Sequence, residues 1–320
     1  MEASTTPQRA EAAADRLRTL MPQAGHIVHM PSHIYYRVGR YQDAVLANEE
    51  AARVDEAYIA QCHAQGFYPA GYYGHNIHFL WTSSEMQGRY AASIDAARRL
   101  VRAVDAVNLS AQLPLGELFV FTPTATLLRF GRWRELLAEP PPPEALTLDL
   151  AFWDYAQGFA HANTGDLAAA RADRARLETL SHADLSRFAP FNVPALPMMQ
   201  LSMALLDGEI ARKSGDLPGA ITHFREAARI EHELPYTEPP YWHQPVSHIL
   251  GAALLEAGRP AEAEAVYRRS LQDYRLDGWA LTGLAQALDA QHNAREAARV
   301  RRELRTAWQF ADVHLTSSRF

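Results

Sequence analysis

Histidines 26, 29 and 33 fall inside the eight residues HIVHMPSH, a spacing that sets three imidazoles on one face of a helix. A second pair, His75 and His78, repeats the HxxH spacing. Imidazoles on one face chelate first-row transition metals, and His29 with His33, at i and i+4, is the natural two-nitrogen clamp. A third nitrogen from His78 would complete a set suited to Zn, Fe, Cu or Ni, with His26, His75 and Glu85 as further ligands or supporting partners. An open position on such an ion would activate water or dioxygen. The same histidines have a plainer use, as a polar seam between packed helices. No HExxH or other named catalytic pattern chooses between the two.

The segments that carry these residues must be helices. Alanine, leucine, arginine and glutamate recur with apolar spacing of three to four, and strand signals are weak. A short turn recurs between helical stretches, with Gly39, Gly88, Gly131, Gly165, Gly215, Gly258 and His292 at its centre, at intervals of 49, 43, 34, 50, 43 and 34. Glycine suits this position because helices commonly end on a left-handed residue. Counted back from the turns, His29, His78 and His248 each lie ten residues upstream, and His26 and His75 thirteen. Histidines in two consecutive units therefore share a phase. Pro31 and Pro123 each stand eight residues before a turn and should kink a helix or mark its start.

The shortest interval equals the tetratricopeptide (TPR) period of 34. GRYQDAVLANEEAARVD, AGRPAEAEAVYRRSL and ALDAQHNAREAARV resemble TPR helix pairs. HIVHMPSHIYYRVGRY, YPAGYYGHNIHFLWTSSEMQGRY and EPPYWHQPVSHILGAALLEAGR resemble a bacterial family of TPR-like proteins of largely unassigned function. The resemblance implies an all-α, right-handed superhelix of about seven helix pairs along residues 1–320. Its histidine-rich units would span 1–138, a Pro-rich linker 139–146, and the remaining units 147–320. It also implies that the first helix of each pair lines a concave groove. Tyr36, Thr82, Phe121, Phe152, Tyr155, Phe159, Glu209, Trp242, His243 and His248 would then face a peptide, protein or small-molecule ligand.

Residues 6–22 resemble the second helix of a TPR pair whose first helix is missing. The resemblance implies a further helix upstream and hence a chain shortened at its start, with Ala10, Ala14 and Leu17 left uncovered or buried against another copy. Net charge of −6 favours neither nucleic acid nor an anionic membrane as partner. Cys62 alone cannot form an intrachain disulfide. With no long apolar run and a charged start, the chain as given reads as cytoplasmic, unless an export signal lies upstream. Two classes of function follow: a binding module with a histidine- and aromatic-lined groove, and a metalloenzyme, hydrolytic or oxidative.

Overall fold

All seven turn residues adopt the left-handed conformation, from φ 59° at His292 to 95° at Gly165. Each turn closes with the same two backbone bonds. At the first, Gly39 N–H donates to Tyr36 and Arg40 N–H to Tyr35; at the last, His292 donates to Asp289 and Asn293 to Leu288. This is the Schellman closure, which satisfies carbonyls that a helix end leaves unpaired. The computed structural model describes residues 2–103 and 113–320 and contains only helices, turns and loops among them.

The helices that flank the turns are α3 (Pro31–Val38) and α4 (Tyr41–Cys62), α5 (Gly74–Met86) and α6 (Tyr90–Ala103), then α8 (Thr122–Arg129) and α9 (Trp133–Leu137). There follow α10 (Thr147–Thr164) with α11 (Leu167–Ser181), α12 (Ala195–Lys213) with α13 (Leu217–Glu233), α14 (Val246–Glu256) with α15 (Pro260–Asp273), and α16 (Gly278–Ala290) with α17 (Ala294–Ala307). Each helix packs on its hairpin partner. Among the described residues, three short α-helices stand outside the pairs: α1 (Glu11–Leu20), α2 (Gly25–His29) and α7 (Glu117–Val120). Both prolines mark starts: Pro31 opens α3 and Pro123 lies in the first turn of α8.

The alanine face near the N-terminus is covered within the chain. Ala14 packs with Ile34, Tyr35, Val38 and Ala44, and Tyr35 Oη donates to Asp15 at 2.8 Å. The exposed apolar residues of this region are Leu20 and Met21 instead.

The last units return to the first. Trp279 Nε1–H donates to the Glu85 carbonyl at 3.0 Å, and the Asp312 carboxylate accepts from Tyr90 and Ala91 N–H at 2.6 and 2.9 Å. Residues 308–320 then run back across the helices, with Ser318 alone among them buried: Ser318 bridges Tyr267 and the His248 carbonyl, and Arg319 pairs with Glu209.

The turn at Gly39 tests this closure. A Cβ there would lie 2.4 Å from the Arg275 carbonyl oxygen, whereas nothing lies within 4 Å of one at Gly165. Gly165→Ala should show only the left-handed penalty of roughly 1–2 kcal/mol, and Gly39→Ala should be distinctly worse in thermal or denaturant unfolding. Equal effects would mean that the first turn and residue 275 do not touch.

Candidate metal centre

Three helices meet at the histidines because α4 carries polar residues in its buried stripe. Ala44, Ala51 and Ala52 share that stripe with Asn48 and Asp55, all fully buried. Asp55 accepts from Tyr68 Oη at 2.8 Å and Asn76 Nδ2 at 2.7 Å, fixing the entry to α5. It also presses on Gly25 at the start of α2, where a Cβ would lie 1.9 Å from its Oδ1. One carboxylate therefore sets the spacing between the two HxxH segments.

Among the described residues, His29, His33 and His75 offer ligand nitrogens that all lie within 4.8 Å of one another. The Nε2 atoms of His29 and His33 are 3.0 Å apart. Two nitrogens bound to one ion at about 2.0–2.1 Å, at tetrahedral or octahedral angles, stand about 2.9–3.4 Å apart, so this clamp already has the right opening.

The opposite edges of both rings are held. His29 Nδ1 lies 2.6 Å from Asn48 Oδ1, and the Asn48 amide donates to the Ala44 carbonyl at 2.7 Å, so its oxygen faces the ring. His33 Nδ1 lies 2.6 Å from Glu238 Oε2. If both neutral rings donate from Nδ1, both Nε2 atoms are bare lone pairs pointed at each other. That confrontation is repulsive unless a cation sits between them. A proton on His29 is disfavoured, because burial, reinforced by His75 and His33, holds that ring well below the ordinary imidazole value. Burial and the neighbouring histidines likewise lower His75 to about 3. Neutral nitrogens with hydrogen-bonded far edges are what a transition metal requires.

The other expected ligands fall elsewhere. His26 stacks beside His29, ring centroids 5.7 Å apart, with its Nδ1 buried and unpartnered. His78 belongs to neither candidate metal group among the described residues and lies flat on Trp81 at 5.2 Å. Glu85 is buried against Arg129, with Nη1 3.4 Å from Oε2, and burial pushes its carboxyl up to about 7 despite that guanidinium. A second acidic group comprises Glu2, His33 and Glu238.

A cavity of about 260 Å³ adjoins the centre, with His75 and Glu238 in its wall. Phe121, Trp242 and His243, expected to line a groove, line this cavity with His78, Trp81 and Phe119. Tyr36 and Trp242 face a larger cavity of about 880 Å³, and Thr237, Glu238, Pro240, Tyr241 and Trp242 border both cavities. Tyr155 packs tilted against Trp242 and edge-on against Phe159, at centroid distances of 5.6 and 5.5 Å. His248 is fully buried, its Nε2 2.5 Å from Asp277. No protein-family model matches the chain, and no curated protein matches it either.

Two supporting residues escape the sequence reading. Asn48 leaves a signal, a polar side chain inside an alanine stripe. Glu238 leaves none, since it reaches His33 across 205 positions from a Pro-rich loop.

Proposed function

We propose that this is a TPR-like helical-repeat protein that holds a transition-metal ion between His29, His33 and His75, with Asn48 and Glu238 orienting the rings. The pair of bare Nε2 atoms 3.0 Å apart carries the reading. The repeat assignment is supported by seven Schellman turns at intervals that include the TPR period. Three imidazoles suit Zn, Fe, Cu or Ni, and fold alone does not choose among them. Metal analysis of protein purified without a His-tag should find close to one ion per chain. Nitrogen NMR of the metal-free form should show His29 and His33 in the Nδ1–H tautomer. Absence of tight metal binding together with the opposite tautomers would leave a structural seam.

Catalysis is a second reading, favoured by the cavity beside His75. Three protein nitrogens leave positions on the ion where water or a substrate oxygen would bind, with Glu238 beside them. Metal-dependent turnover lost in His33→Ala would support it.

A further inference from the structure

We infer that the cavity beside His75 binds a small, flat, uncharged aromatic molecule with a hydroxyl or amino group on one edge. This goes beyond the metal reading and stands without it, because it rests on the cavity's own walls. At roughly 30 Å³ per water-sized group, about 260 Å³ holds one ring and a few substituents. The walls are flat and aromatic: Trp81 and Trp242 with Phe119, Phe121 and Phe152. Such surfaces favour stacking or edge contact with a second ring.

The polar atoms call for a hydrogen-bonding edge. His243 Nε2 and Glu238 Oε1 are buried without a partner, and both residues line the cavity. Neither ring nitrogen of His78, also in the wall, has a hydrogen-bond partner among the described residues. Unsatisfied buried polar groups cost about 1–3 kcal/mol each, so a ligand that answers them gains what a hydrocarbon cannot. Charge is excluded on the same grounds. Among the described residues no lysine or arginine lines the cavity. Arg129 is engaged by the His243 carbonyl at 2.9 Å and by Glu85, and Glu238 is bonded to His33.

The test uses fluorine NMR on the full chain, metal-free and metal-loaded, titrated with 4-fluorophenol, 4-fluorotoluene and 4-fluorobenzoate. The phenol should bind saturably in both forms, at least tenfold tighter than the toluene, with the benzoate weakest. His243→Leu should remove most of the tenfold preference while leaving the toluene's affinity unchanged. Leu118→Trp, which fills the cavity from α7, should abolish binding of both. If His243→Leu does not fold, the phenol-to-toluene ratio in the unmodified protein decides. Saturable phenol binding to metal-free protein would uphold the inference even were no metal site found. Equal affinity for phenol and toluene, preference for the benzoate, no saturable binding in the metal-free form, or binding that survives Leu118→Trp in a folded chain would overturn it.

Discussion

Replacing His75 with phenylalanine should abolish tight metal binding and leave the metal-free protein nearly as stable as before. His75 contributes a nitrogen to the cluster, yet among the described residues neither of its ring nitrogens has a hydrogen-bond partner. Its ring packs edge-on against His29 and Phe79, at centroid distances of 4.7 and 5.3 Å, contacts that a phenyl ring also makes. The adjoining cavity accommodates the extra volume. Loss of a supporting partner typically costs about 10–100-fold in metal affinity, and loss of a direct ligand should cost more. At a free metal concentration a thousand times the dissociation constant, the ion stabilises the native protein by about 4.1 kcal/mol. That increment should vanish in His75→Phe.

Asn48→Leu should behave differently. It removes the shorter of the two hydrogen bonds of His29 Nδ1, leaving Ser32 Oγ at 3.3 Å, which costs about 0.5–1.5 kcal/mol in the metal-free form and loosens the hold on the tautomer. Chelator competition and metal-dependent thermal unfolding separate the two variants. A His75→Phe protein that keeps its affinity, or that is weakened without metal as much as Asn48→Leu, would remove His75 from the ligand set.

The turns were legible because a left-handed residue is a local requirement, written into seven single positions. Prolines 31 and 123 were legible as a kink or a start, and both are starts. The ligand set was only half legible. Counting back from the turns places His29 and His78 at the same height, but α5 is entered through a π-helical segment, Tyr68–Tyr73, that Asp55 ties to α4. The residue that reaches the His29–His33 clamp is therefore His75, one turn earlier on the helix. Phase along one helix says how high a side chain sits, not how far away the neighbouring helix lies. The partners of distant segments left no pattern at all. Glu238 sits in a loop without periodicity, and residues 308–320 have none either, so neither the far-edge bond to His33 nor the bonds of Ser318 and Arg319 to the helices could be anticipated. Glu209 and His248, expected to face a ligand, are fully buried, and their partners, Arg319 and Asp277, come from the chain itself.

Arg319→Ala should be among the most damaging single changes, with a loss that depends on pH. Glu209 is fully buried; burial alone would raise its carboxyl, but Arg319 and Arg212 more than reverse this and hold it at about 2. Arg319 meets both carboxylate oxygens at 2.9 Å, and Arg212 meets them at 2.9 and 3.1 Å. Because the folded value lies below the ordinary 4.5, the stabilisation is complete above pH 4.5 and fades as pH falls towards 2. Removing one partner of a buried pair costs roughly 3–5 kcal/mol, and the lower end is expected here because Arg212 remains. The change also loosens the path of Phe320, whose ring packs on Trp279 at 5.7 Å. The gap between wild type and Arg319→Ala should be widest near neutrality and narrow through pH 4 and below, as Glu209 takes up its proton in both. Glu209→Gln supplies the control: in that background Arg319→Ala should cost less and show no such narrowing. A gap that is small at pH 7, or constant with pH, would mean that the tail only rests on the helices and does not hold them together.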